Sequence, residues 1–272
     1  MTTATLTRAA SQAEGRYGFR HVTRMEWLKL RSVRSTWWTL LVLAVALIGL
    51  AILVMARQHW ATMSPPDRAS FDPANDSFGG LIIGQLAIGV LGVLAVTSEF
   101  SSGMIRATFA AAPRRPLVLA AKAAIVAAVT VAAGEILAFV AFGVGEVVLK
   151  NPAPHASLGQ PGVLRAVLMA GAYPALIALI GLGLGALIRH TAGAISAVVG
   201  VLFVLPLILV PLGTSIQNAA GKFMPMLIAE NSLTAVKPVA HSLSPGVGFA
   251  MLCLYAAAAL AAGGWALARR DA

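Results

Sequence analysis

Six apolar runs recur along the chain, at about 37–56, 78–97, 117–149, 163–188, 192–213 and 246–268, with polar stretches between them. A helix needs about 20 apolar residues to cross the hydrocarbon core of a bilayer. Within that core every backbone polar group must be satisfied inside the segment, which a helix does and an isolated strand does not. Each run therefore predicts a transmembrane helix. Only Arg189, His190 and Thr191 separate the fourth run from the fifth, which predicts a tight helical hairpin. Trp37 and Trp38 open the first run, at the depth where indoles gather.

Ahead of the first run lies a different pattern. Residues 19–35 read FRHVTRMEWLKLRSVRS. At helical spacing Phe19, Val22, Leu30 and Val33 share one face, while Arg20, Arg24 and Arg31 share another. This predicts a basic amphipathic helix lying in the headgroup layer. Glu26 intrudes on its apolar side. The other reading of the segment is a positively charged flank of the first span. Residues 1–18 are small and polar and predict a flexible cytoplasmic tail. They do not have the pattern of a signal peptide, since the first apolar run starts only at Trp37.

Composition sharpens the class. Of 272 residues, 58% are hydrophobic and only 11% charged, against about a quarter charged in soluble domains. Mean hydropathy is +0.84. A soluble fold of this size cannot hide that much apolar surface. A soluble enzyme, a disordered chain and a nucleic-acid-binding domain are thereby excluded. The expected fold is an all-α, polytopic membrane domain over 36–272.

The charges then set an orientation. Fourteen of the 20 Lys and Arg residues fall on one side of a six-span layout: seven before the first span, then Arg106, Arg114, Arg115 and Lys122, then Arg189, then Arg269 and Arg270. The opposite side holds Arg57, Arg68, Lys150, Arg165, Lys222 and Lys237. Positive charge marks the cytoplasmic side, so both termini are expected in the cytoplasm of a plasma-membrane protein.

Candidate chemistry is sparse. Glu135 lies near the middle of the third span, where an ionisable group is costly. It reads either as a substrate- or proton-interacting carboxylate or as a carboxyl joining two helices. Lys122, near the inner end of that span, is expected to snorkel outward. Gly80/Gly84 and Gly181/Gly185 have the small-x-x-x-small spacing that lets helices approach closely. Pro174, Pro206 and Pro211 are expected to bend or end their helices. The lone Cys253 reads as a small core residue. The segment 57–77 reads as an irregular loop, and FMPMLIA at 223–229, too short to cross, either dips into the outer leaflet, caps the bundle or forms an apolar patch on a plain loop. There is no Walker motif, no zinc spacing and no nucleophile–base set. The chain is thus expected to be no enzyme and to bind no metal or cofactor. Between the second and third spans TSEFSSGMIRATFAAAPRRPLVLAAK (97–122) is longer than a turn. Thr97 or Ser98 is expected to cap a short helix with Glu99 near its positive end, Gly103 to bend the chain, and Arg114 and Arg115 to face headgroups or a partner.

Three segments together carry a family likeness: EWLKLRSVRSTWW (26–38), the 97–122 stretch, and LSPGVGFAMLCLYAAAALAAGGWALARRDA (243–272). With the six-span layout, the chain resembles membrane subunits of type-2 ATP-binding cassette (ABC) exporters, as found in many actinobacteria. The resemblance implies a permease subunit that pairs with a second permease, identical or not. Each would dock a separate ATPase subunit that holds ATP-Mg. It implies that the interfacial helix (Phe19, Val22, Arg24, Glu26, Lys29, Arg31) and a coupling helix near 98–116 (Ser98, Glu99, Gly103, Arg106, Arg114, Arg115) meet the ATPase. The cargo it implies is a hydrophobic or amphipathic compound. The competing reading is a stand-alone ion- or proton-coupled transporter using Glu135.

Overall fold

A computed structural model describes residues 18–112, 114–150, 152–235 and 242–269; the tail at 1–17, Lys237, His241 and Arg270 lie outside the described residues. The fold is 83% helical, without strands among the described residues. The helices are α1 (Phe19–Ser32), α2 (Arg34–Arg57), α3 (Pro65–Ser70), α4 (Pro73–Asp76), α5 (Leu81–Ser101), α6 (Met104–Ala111), α7 (Arg115–Val148), α8 (Val163–Ile188), α9 (Thr191–Val199), α10 (Leu205–Leu209), α11 (Thr214–Gly221), α12 (Pro225–Ser232) and α13 (Pro245–Arg269). Six stretches are long and apolar enough to cross a membrane: Arg34–Ala56, Leu81–Ser101, Arg115–Val148, Val163–Ile188, Thr191–Leu212 and Pro245–Arg269.

At the centre stands α8, two-thirds buried (67%) along its span, with α5, α7 and α13 packed around it. Lipid-like surroundings give no hydrophobic drive between apolar helices, so close contact must come from small residues and dispersion. Glycines supply it on three sides. A Cβ on Gly92 would overlap the Ala178 carbonyl, one on Gly134 the Gly171 carbonyl, and one on Gly183 the Ala259 backbone. The Gly181 and Gly80 positions expected from spacing do the same work: Gly181 lies against Gly89 of α5, and Gly80 against Ala46 of α2. Pro174 sits inside α8 without ending it.

The fifth span is the least buried at 11%, and it is not a plain helix. After α9 the backbone widens into a π turn at Gly200–Val204, closed by the Leu205 N–H on the Gly200 carbonyl, just before Pro206. Proline has no N–H to continue the ladder, and the wider turn absorbs that loss. Pro211 lies in the 3₁₀ turn Val210–Leu212 that ends the span.

One expectation about the loops changes, and another narrows to one of its alternatives. The 57–77 stretch is largely helical: a 3₁₀ turn at Trp60–Thr62, then α3 and α4. Pro65 and Pro73 are the first residues of those helices, where the missing N–H costs nothing. Ser64 and Asp72 cap them. The apolar 223–229 stretch enters α12, whose Pro225, Ile228, Ala229, Asn231 and Ser232 are buried, chiefly against α13. Asp72 fastens this end of the bundle: Oδ1 accepts from Asn75 N (3.2 Å) and Oδ2 from Ala235 N (2.6 Å). Cys253 is exposed on α13 rather than in the core.

Candidate functional site

At the end of the bundle that carries α1 and α6, four elements meet through charge. Val22 and Glu26, one turn apart on α1, are both buried, at 2% and 3% exposure. Val22 packs with Ala112, just past α6, and with Val118 and Ala121 at the start of α7. Glu26, the residue that spoils the apolar stripe in sequence, points into the bundle. Its Oε2 accepts from Lys122 Nζ, and its Oε1 accepts from Lys29 Nζ at 3.1 Å. Lys122 Nζ also donates to Glu99 Oε1 (2.7 Å), as does Lys29 Nζ (3.0 Å). Thr108 of α6 accepts from Lys29 (3.1 Å) and donates to Glu99 Oε2 (3.1 Å).

The set contains two carboxylates and two ammonium groups, and all four carboxylate oxygens are occupied. Three of the charges are nearly sealed from solvent; only Lys29 is about a quarter exposed (24%). Buried charge is tolerable when it is paired and its remaining hydrogen-bonding capacity is met. Here α1, the last turn of α5, α6 and the N-terminal turns of α7 are clasped at one point. Beside the clasp lies a cavity of about 120 Å³, lined in part by Leu30, Thr36, Ser98 and Met104.

The predicted site residues divide accordingly. Glu26, Lys29, Glu99 and Val22 are brought together. Lys122 does not snorkel; it turns inward because two carboxylates await it. Glu99 lies in the last turn of α5 and not at the start of a loop helix. Neither Thr97 nor Ser98 caps a helix: Thr97 Oγ1 donates to Val93 O (3.0 Å) and Ser98 Oγ to Leu94 O (2.6 Å), both back along α5. The N-cap of α6 is Gly103, in the left-handed region at φ +71°, so the bend expected there falls between α5 and α6. Arg106 is exposed on α6, and Phe19, Arg24 and Arg31 are exposed on α1. Thr108 was not singled out by the sequence at all.

Arg114 is exposed at the start of α7, but Arg115 turns inward. Its guanidinium stacks over Phe109 at 5.3 Å and donates to Leu267 O (3.1 Å). Arg189, just past α8, donates to Ala266 O (2.9 Å) and stacks over Phe100 at 5.2 Å. Both thus satisfy carbonyls in the last turn of α13, the negative end of its dipole. In sequence Arg189 registers only as a topology signal, and Arg115 as a residue facing headgroups or a partner; neither reading finds the end of α13.

A matching family profile covers most of these elements. The description "ABC-2 family transporter protein" fits residues 22–206, about two-thirds of the chain. The chain belongs to that family. It is therefore an ABC-2 permease subunit, a membrane component of transport, and members of the family work with an ABC ATPase partner. No curated protein matches it. In this permease the matched stretch contains the whole of the ionic clasp, from Glu26 to Lys122.

Two other polar places stand out among the described residues of the permease. Glu135 lies in α7 against Gly171 of α8, and its buried Oε2 has no hydrogen-bond partner among the described residues. At the end of the bundle opposite the clasp a cavity of about 230 Å³ opens between α4, α5, α8 and α12, with Asp76, Gln85, Tyr173 and Glu230 among its walls. Tyr173 OH donates to Gln85 Oε1 at its base. Burial, helped by the neighbouring Asp72 charge, raises the Asp76 carboxyl from its ordinary 3.8 to about 6.

Proposed function

We propose that this permease is one of two membrane subunits of an exporter in the plasma membrane, with both termini cytoplasmic. A separate ATP-hydrolysing subunit, carrying ATP-Mg, docks against the exposed sides of α1 and α6 and drives it. The cargo is a hydrophobic or amphipathic compound passing along the interface between the two permeases. The observation that carries this reading is the clasp. The two elements that the family likeness assigns to ATPase contact, α1 and α6, are fastened to each other and to the second and third spans by Glu26, Lys29, Glu99, Thr108 and Lys122. A push on either element then reaches both spans as one body, and a transporter needs such a bistable, rigidly linked element to convert differential binding into altered access.

The test is purification from native membranes in mild detergent, with an ATPase assay. A stoichiometric subunit bearing Walker motifs and vanadate-sensitive hydrolysis is expected to accompany the chain. Arg106→Glu, on the exposed side of α6, is expected to lower permease-stimulated hydrolysis by roughly fivefold, the scale of one exposed ion pair reversed. A folded Arg106→Glu variant with unchanged stimulation overturns the docking assignment. A permease that always purifies alone, with proton-driven flux lost in Glu135→Gln, replaces the whole reading with the ion-coupled one.

A further inference from the structure

The inner halves of α7 and α13 run side by side and leave a groove on the outside of the bundle. Its deeper part, about 510 Å³, is walled by Leu119, Ala120 and Ala123 of α7 and by Leu260, Gly264 and Trp265 of α13. All are apolar or small. The groove does not stop there. Pro116 and Ala268 line this part and also the next, an open pocket of about 670 Å³ whose other walls are Arg114, Arg115 and Leu117. Arg269 stands at the same end, stacked over the Trp265 ring at 5.0 Å, and Trp265 itself is 53% exposed. Among the described residues no acid lines either part.

The chemistry changes along one continuous slot: hydrocarbon at depth, an indole at the boundary, guanidinium at the mouth. The positive end of α7, a helix of 34 residues, opens at that mouth as well. The negative end of α13 does not cancel it, since Arg115 and Arg189 already occupy the Leu267 and Ala266 carbonyls. In a bilayer such a slot takes up an acyl chain, and a basic pocket between spans at headgroup level selects a phosphate that carries net negative charge. We propose that the α7–α13 groove is a binding site for an anionic phospholipid of the surrounding leaflet, one acyl chain against Leu119, Ala123 and Leu260 and the phosphate at Arg114 and Arg269. The site shares no lining residue with the ionic clasp and does not depend on which subunit drives transport.

The measurement is native mass spectrometry of the full chain released from nanodiscs of equal phosphatidylglycerol and phosphatidylcholine. Phosphatidylglycerol is expected to be retained in preference. Arg114→Gln and Arg269→Gln are each expected to reduce that preference about fivefold, the value of one arginine near a charged surface. Ala120→Phe, which changes no charge and fills an exposed part of the slot, is expected to reduce retention of both lipids. Equal retention of the two lipids by the unmodified chain, or an undiminished preference in the double arginine variant, overturns the proposal. So does competition by inorganic phosphate combined with full retention in Ala120→Phe, which would make the mouth a phosphate site and not a lipid site.

Discussion

Glu26 shows how one residue changes meaning between sequence and fold. Along α1 it interrupts an apolar stripe, yet it is among the most deeply buried residues of that helix. The reason is Lys122, which lies 96 positions away and supplies the charge that makes the burial tolerable. Removing one member of such a set leaves an unpaired buried charge, which typically costs about 3–5 kcal/mol. Lys122→Met should therefore lower the thermal midpoint of the detergent-solubilised permease well beyond the effect of an exposed Lys→Met change. Adding Glu26→Gln to Lys122→Met removes the orphaned carboxylate and should restore part of the loss, leaving a coupling of roughly 1–3 kcal/mol in the double-mutant cycle. Simple addition of the two single effects would mean that the clasp does not hold these helices together.

At the scale of elements, the spans are joined mainly by backbone approach. The α5–α8 contact has Gly92 directly on the Ala178 carbonyl, whereas Gly49, on the outward side of α2, has nothing within contact distance. Two substitutions that are chemically identical should behave oppositely. Gly92→Ala must push two main spans apart and should cost about 1–3 kcal/mol, read as a lower unfolding midpoint. Gly49→Ala meets no neighbour and should be neutral or stabilising by up to about 1 kcal/mol, through helix propensity alone. Equal midpoints for the two variants would contradict the packing of α5 on α8. The π turn before Pro206 belongs to this scale too: the span least supported by neighbours is also the one whose hydrogen-bond ladder is irregular.

Across the whole molecule the two ends are built differently. The clasped end is electrostatically closed, with its buried acids Glu26 and Glu99 answered by Lys29 and Lys122. The opposite end keeps Asp76 half-buried beside Asp72, in a cavity that Glu230 also lines. With its folded pKa raised to about 6, Asp76 favours the folded state fully only below its unfolded value of 3.8, and that contribution is lost as pH rises through 6. Allowing for partial exposure, the loss is about 1–2 kcal/mol. Hydrogen exchange over 60–80 and 214–235 should therefore slow between pH 7.5 and about 5, after correction for intrinsic rates, while the clasp region stays unchanged. Asp76→Asn should abolish the difference. An equal pH response in Asp76→Asn would assign it to another group.

The number of spans, their approximate limits and the membrane class were legible from apolar runs, because a bilayer imposes a length on every helix that crosses it. The family likeness was legible in the 26–38 and 97–122 segments, and the profile match over 22–206 agrees with it. Close-approach glycines at 80 and 181 could be read from spacing, since a missing side chain is a local fact. Pairings could not be read. That Lys122 turns inward, that Thr108 joins Glu99, and that Arg115 and Arg189 hold the end of α13 depend on which helices stand side by side, and apolar spans carry almost no local mark of their neighbours. The helical 57–77 segment was missed for a related reason: proline either breaks a helix or begins one, and the capping contacts of Ser64 and Asp72 decide which.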